Sequence, residues 1–295
     1  MEKVDLINRI ESGYKRMSKG QKLIAEFILK NYDKAAFMTA SRLGCIVGVS
    51  ESTVVRFANA LGYDGYPKLQ KALQELIRNK LTTVQRIEMS SDMDQSRVLK
   101  SVLKADMHNI RLTIEETDNV VFEAVVNKIL QAKNIYVLGL RSAAPLAQFM
   151  GYYLNFILDN IRVVTSGVND VFEQLIHIGE GDLLIGISFP RYASRAIEAI
   201  KFSKERGADT VALTDSTLSP LNAYADDSLL ARSDMASFVD SLVAPLSLIN
   251  ALIVAIGVAK KAEISNDFHE LEDIWSHYNV YVGKDKEGPG KDQLN

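Results

Sequence analysis

The sequence predicts two structural classes in one chain: an all-α N-terminal part, followed by an α/β part whose parallel sheet is flanked by helices. Two observations carry this. Up to about Ile129 the apolar residues recur at helical spacing, as in QKLIAEFIL and SRVLKSVLKADMHNIRLTI. From Asn134 onward short apolar runs alternate with amphipathic stretches, the pattern of a parallel sheet covered by helices. Length agrees, since 295 residues, 47% hydrophobic and 24% charged, suffice for two domains of ordinary size.

In the N-terminal part three short helices are expected. The first opens at MSKGQK, where Ser18 as N-cap and Gln21 three residues later make a capping box, and Ile24, Phe27 and Ile28 face a core. The next two, TASRLGCIV and SESTVVRFANAL, are joined by a tight turn at Gly48 to Ser50. Gly44 lets them approach closely, and Leu43, Val47, Val49, Val54 and Phe57 supply the apolar positions. This spacing is that of a helix-turn-helix, whose second helix enters the major groove. With Val54, Val55 and Phe57 inward, Ser52, Thr53, Arg56 and Asn59 point outward and suit base contacts, beside Ser50 at the helix start. Thr39, Ser41 and Arg42, opening the preceding helix, suit phosphate. The same short pattern also describes an αα-hairpin with a solvated face.

Charge separates the two parts. Residues 1–80 hold 14 Lys+Arg against 8 Asp+Glu, a net +6, whereas the remainder holds 20 against 29, a net −9. Nucleic acid is therefore a plausible partner for the first part only.

Residues 81–95, LTTVQRIEMSSDMDQ, lose the regular apolar spacing and read as a linker, and Ser96–Glu116 reads as a helix leading into the second domain. The expected boundaries are thus 1–80 for the helix-turn-helix domain, 81–117 for the connection, 118–282 for the α/β domain, and 283–295 for a mobile tail. In the α/β domain NIYVLGL, IRVVT, DLLIGIS, DTVALTD and DSLLA read as strands. Val243–Ala259 is strongly apolar but shorter than the roughly 20 residues of a membrane span, and it carries Pro245, Ser247 and Asn250. It reads as a buried helix, so no membrane partner is expected.

A charged N-terminus and a single cysteine, Cys45, fit a cytoplasmic protein. No HExxH, CxxC or Walker A pattern occurs, and GLRSAA departs from GxGxxG, so no metal, no cofactor, and neither nicotinamide nor ATP binding is expected.

Together MSKGQKLIAEFILKN, TASRLGCIVGVSESTVVRFANALGYDGYPKLQ and the downstream sheet resemble the RpiR family of bacterial transcriptional regulators, from about Met17 to Tyr281. The resemblance implies operator DNA as partner and a repressor more readily than an activator. Two groove-reading helices one DNA turn apart require a homodimer or a dimer of dimers.

Open parallel sheets bind ligands beyond the carboxyl ends of their strands. Those ends deliver Gly139, Arg141 and Ser142; Thr165, Ser166 and Gly167; the loop SFPRYASR; and Thr214 with Asp215. Hydroxyls, arginines and helix N-termini on one edge favour an anion such as phosphate. Carboxylates are scarce there, Asp170 and Asp215 being the chief exceptions.

This sheet is similar to the sugar isomerase (SIS) domain, which in the RpiR family senses phosphosugars. The likeness implies that Ser142 and Ser188 hold the sugar phosphate. The isomerases tend to Ser-x-Ser-Gly-x-Thr at the third strand, whereas Pro190, Arg191 and Ala193 stand in the second Ser, the Gly and the Thr places. Ser194, Arg191 or Arg195 then compensates, Arg by charge-assisted bidentate bonds. The alternative for both arginines is surface charge or contact with another subunit.

Conversion rather than sensing needs a base near the sugar carbons. Glu173 and His177, four apart on one expected helix face, and His269 with Glu270 in FHELEDIW are the candidates, and no spacing among them specifies an active site. His108 and His277 read as ordinary side chains. No catalytic residue is assigned, and a phosphosugar isomerase with an accessory helical domain is the alternative function.

Overall fold

The computed structural model describes residues 6–78, 84, 87, 95–235 and 239–281. The expected linker, apart from Val84, Ile87 and Gln95, and the expected tail at 283–295 lie outside the described residues. The chain divides into two compact units: one runs to Val102 with Pro190–Tyr192 and Met235–Asp240, and the other takes the remainder.

Among its described residues the first unit has α1 (Leu6–Gly13), α2 (Lys19–Lys30), α3 (Tyr32–Ala35), α4 (Ala40–Val47), α5 (Glu51–Ala60) and α6 (Gly65–Arg78) and no strand. Among the described residues these helices outnumber the three expected. The first of them precedes MSKGQK because Leu6 and Ile10, one turn apart, are buried in the core within a stretch whose charges mask the periodicity. Tyr66, Leu69 and Leu73 place α6 in the same core with Ile24, Ile28, Leu43, Val54 and Phe57.

The Ser18 capping box forms as expected: Oγ accepts from Gln21 N, and Gln21 Oε1 accepts from Ser18 N at 2.9 Å. Ser18→Ala is expected to cost the N-terminal unit about 1 kcal/mol, read as a lowered midpoint in a thermal melt. Gly44 sits where a Cβ would lie 2.7 Å from the Val49 carbonyl oxygen, so only glycine lets α4 and the turn close. Gly48 ends α4 at φ 78°, the left-handed conformation that side chains disfavour.

Tyr66 fixes the approach to α4. Its buried hydroxyl donates to the Met38 carbonyl at 2.8 Å, and Gln70 Nε2 donates to the same oxygen at 3.0 Å. Burial pushes the phenol up to about 12. The neutral ring is therefore favoured by folding, a contribution complete below pH 10 and lost as pH rises toward 12. Alkaline titration should destabilise the first unit across that window, and Tyr66→Phe should flatten the dependence.

The second unit comprises α7 (Val98–Glu116, from Leu103 on), α8 (Asn119–Gln131), β1 (Ile135–Gly139), α9 (Ala144–Leu154), β2 (Ile161–Val164), α10 (Val171–Gln174), β3 (Leu183–Ile187), α11 (Ser194–Glu205), β4 (Asp209–Thr214), β5 (Asp227–Leu230), α12 (Val243–Ala259) and α13 (Lys261–His277). All five strands fall where the apolar runs place them. They pair in parallel in the order β2-β1-β3-β4-β5, with Gly139 opposite Ile187 at the carboxyl end. β1 and β3 read as unbroken apolar runs because both faces are covered. One core joins them to α9 through Ala147 and Met150 and to α12 through Ile249, Leu252 and Ile256. Among the described residues no single helix is long and apolar enough to cross a membrane.

Candidate functional site

The first unit presents the N-terminal half of α5 to solvent. Ser50 caps the helix, its Oγ accepting from Thr53 N at 3.3 Å and lying 2.9 Å from both Ser52 Oγ and Thr53 Oγ1. Ser52, Arg56 and Asn59 are exposed and Thr53 is half-buried, as the outward face requires. The Arg56 guanidinium rests on Ser52 O at 3.3 Å and Thr53 Oγ1 at 3.4 Å. Asn59 differs from the expectation in one respect: its Oδ1 accepts from Gly65 N at 3.0 Å, which ties it to the start of α6. Thr39 caps α4 by accepting from Arg42 N at 3.2 Å, leaving Ser41 and Arg42 exposed on the first turn.

Sequence reasoning missed a second wall of this face. Ser18, Gly20 and Gln21, at the start of α2, line one concavity with Val49, Ser50, Thr53 and Arg56. Gly20 permits the approach, since a Cβ there would lie 3.2 Å from Thr53 Cγ2 and 3.4 Å from Val49 Cγ1. Two helix N-termini and a guanidinium thus share one hollow, a combination favourable to phosphate. The local signal was the small residue after a cap, and only packing shows what it admits.

In the second unit the connections from β1 and β3 leave in opposite directions, because β2 lies on one side of β1 and β4 on the far side of β3. This is the switch point of an open parallel sheet, and the crevice lies between the two loops that leave it. The β1 loop enters a 3-10 turn, Arg141–Ala143, before α9, and no side chain caps either helical start. The β3 loop leads to α11, whose N-cap, Ala193, also supplies no side-chain bond. Both helical starts follow the carboxyl ends of their strands, in loops that also carry Ser142, Ser188 and Ser194. Gly139 makes the first loop possible: a Cβ there would lie 2.5 Å from the Ala143 carbonyl oxygen.

Arg141 adopts φ 55° and Arg191 φ 61°, and among the described residues only Asn279 is a further non-glycine residue with positive φ. Such backbone is costly and concentrates at binding sites. Arg191 groups with the first unit. Ser142, Arg141, Ser166 and Ser194 are exposed, whereas Ser188 is buried, its N–H donating to Leu213 O at 3.1 Å.

The loop after β2 behaves differently. Asp170 caps α10 by accepting from Phe172 N at 3.0 Å, and Glu173 Oε2 accepts from Asp170 N at 3.1 Å. Arg195 lies 3.7 Å from Asp170 Oδ2 and 3.4 Å from Glu198 Oε2, with its guanidinium carbon 5.3 Å from the Phe172 ring centre. Ser166 sits on this carboxylate-bearing side.

The expected helical face joining Glu173 and His177 is not formed: α10 ends at Gln174 and Glu173 is consumed by the capping box. A single turn closed at both ends cannot carry a pair four residues apart. His269 lies on α13, its Nδ1 2.6 Å from Ser265 O. Thr214 Oγ1 bonds Ser219 Oγ at 2.8 Å inside the protein, a tie that fixes the end of β4.

Two family descriptions match: a helix-turn-helix domain of the rpiR family over residues 4–80 and an SIS domain over residues 128–255. An uncharacterized HTH-type transcriptional regulator of Haemophilus influenzae is 30% identical over 229 residues, 75% of this chain and 78% of that protein. HexR of Escherichia coli, an HTH-type transcriptional regulator, is 26% identical over 72% of each chain. Among solved structures, the sugar isomerase domain of an RpiR transcription factor from Sphaerobacter thermophilus matches with TM-score 0.58 and 29% identity, covering 60% of this chain and 99% of that one. The Vibrio vulnificus NanR protein, complexed with ManNAc-6P, matches in fold with TM-score 0.57 and 20% identity over 94% of this chain and 100% of that one.

Proposed function

The chain belongs to the rpiR family of helix-turn-helix transcriptional regulators with an SIS domain, and on that premise we propose that it regulates carbohydrate genes by coupling operator binding to a bound phosphosugar. The carrying observation is that β1 and β3 are neighbours whose connections part and whose following helical starts have no side-chain caps, in loops that hold Ser142, Ser188 and Ser194. Such a site attracts a phosphate through backbone N–H groups. In this reading Arg141 and Arg195 flank the anion, Ser166 lines the β2 side, and Arg195 exchanges part of its pairing with Asp170 for the ligand. Arg191, in the loop beyond Ser188, is assigned to the same response.

Operator DNA meets the α4–α5 face. Arg56, Ser52, Thr53 and Asn59 read base edges while Thr39, Ser41, Arg42 and Ser50 hold phosphates. The regulator acts in the cytoplasm as a homodimer or dimer of dimers, as a repressor. Its domains take 1–80 for DNA, 81–117 for the connection and 118–282 for sensing, with 283–295 as a tail. The α/β domain senses rather than converts its sugar. That reading is supported by the candidate bases, since Glu173 is committed to a cap and His269 lies against a backbone carbonyl.

The test is recovery of genomic fragments of the source organism by the purified chain, sequenced with and without a panel of sugar phosphates. Enrichment of a few fragments that one sugar phosphate releases supports the reading. Fragments that one tightens would make the protein an activator or co-repressor-type regulator. No enrichment by the folded protein in any condition defeats it, and turnover of the same sugars would then identify an isomerase.

A further inference from the structure

Helix α7, which connects the two units along the chain, carries its polarity inside out. Its buried side chains are Asn109 and Thr113. Leu99, Leu103, Met107 and Ile114 meanwhile stand 53–72% exposed. The buried polar face meets the segment leaving the carboxyl end of β5. Arg232 N donates to Thr113 Oγ1 at 2.9 Å, and the Arg232 guanidinium forms a two-pronged pair with the Glu116 carboxylate. Asn109 Nδ2 donates to Asp234 O at 2.9 Å, and Ser241 Oγ donates to Asp106 Oδ1 at 2.6 Å.

The same segment is anchored to the ligand edge of the sheet. Ala231 N donates to Thr214 O at 2.8 Å, and the preceding residue on β4, Leu213, accepts from Ser188 N at 3.1 Å. Ser188 is therefore linked to α7 by one residue step on β4, one on the segment after β5, and three hydrogen bonds.

A helix held by apolar packing can leave only by exposing apolar surface to water, whereas one held by hydrogen bonds can exchange them for water. The arrangement also carries an internal cost, because Asn109 Oδ1 is enclosed without a hydrogen-bond partner. Both features suit an element with two arrangements of similar free energy.

We propose that the polar contacts of Asp106, Asn109, Thr113 and Glu116 with Arg232, Asp234 and Ser241 form a latch that relays occupancy of the β1/β3 crevice to the connecting helix. This rests on the sensing role given above. A ligand that shifts Ser188 changes the end of β4, the Ala231–Arg232 backbone follows, and α7 gains or loses its anchor.

The test compares the full-length chain with Thr113→Val, which keeps the shape but removes the acceptor, and with Thr113→Ser, which restores the hydroxyl. Operator affinity is measured with and without saturating glucose 6-phosphate, fructose 6-phosphate or N-acetylmannosamine 6-phosphate, and sugar affinity is measured separately. Their ratio with and without sugar is the coupling factor, about 5- to 150-fold in allosteric proteins. Thr113→Val is expected to bring it near one while the sugar affinity of the DNA-free chain stays within about two-fold. Amide exchange in α7 should rise about tenfold with β1 and β3 unchanged. Thr113→Ser should behave as wild type. Wild-type coupling in Thr113→Val, or unchanged exchange in α7, overturns the latch alone. A wild-type protein whose DNA binding ignores all three sugars overturns the sensing reading, and the relay with it.

Discussion

Ser142→Trp is expected to weaken phosphosugar binding by about 100-fold or more, equivalent to roughly 2.7 kcal/mol, while leaving operator affinity in the absence of sugar within about two-fold. Ser142 is exposed in the Arg141–Ala143 turn after β1, so an indole there would fill the proposed ligand's place without entering the core. The substitution removes a hydroxyl that can bond phosphate and blocks approach to the helical starts of α9 and α11. Ser142→Ala, which removes the hydroxyl alone, should cost about tenfold, the value of one hydrogen bond to a charged group. Titration calorimetry reads both. An equal loss of operator binding in Ser142→Trp would make the turn a structural support for the DNA-binding state and remove Ser142 from sensing. Ser188 is the poorer position for the test, because its burial makes any bulky replacement a folding lesion.

Arg56→Ala should lower specific operator binding by about 5- to 150-fold, or about 1–3 kcal/mol, and relax the preference at one base pair. The unliganded guanidinium is held by two long bonds, to Ser52 O and Thr53 Oγ1, on an exposed helix face. Exchanging these for a bidentate contact to guanine costs little and requires no movement of α5. Arg42→Ala serves as the contrast. It should weaken binding uniformly across sequences and reduce the slope of affinity against salt by about one. Fluorescence anisotropy on the recovered operator and on a scrambled duplex at two salt concentrations separates the two. Equal binding of the operator by Arg56→Ala and wild type would remove Arg56 from base readout.

Much of this architecture was legible because its signals are local. All five strands sit on the apolar runs, and the Ser18–Gln21 capping box and the Gly48 turn follow from short-range chemistry. What escaped was of two kinds. α1 lay hidden because two buried residues among many charges give too weak a period, and Leu6 and Ile10 count as core only once their partners are known. Glu173 and His177 misled because spacing four apart presumes a helix long enough to hold both, and the helix that Asp170 and Glu173 open ends at Gln174.

The candidate sites divide along the same line. The residue types at the strand ends, and the outward face of α5, could be read from the chain. Their grouping could not, because it depends on strand order: the crevice exists where β1 and β3 neighbour each other and their connections part. Nor could the chain reveal that Gly20 admits α2 beside α5, or that α7 turns Asn109 and Thr113 inward.

The sequence by itself determined the two classes of structure, the helix-turn-helix with its basic surround, and the inventory of hydroxyls and arginines available to an anion, since each is encoded by composition or by neighbours within a few residues. Tertiary structure alone decided which loops face one another, which carboxylates are spent on caps and ion pairs, and which polar atoms are buried together. Those depend on residues such as Thr113 and Arg232, 119 positions apart in the chain, whose contact is set by the packing of the domain and leaves no periodic trace in the sequence.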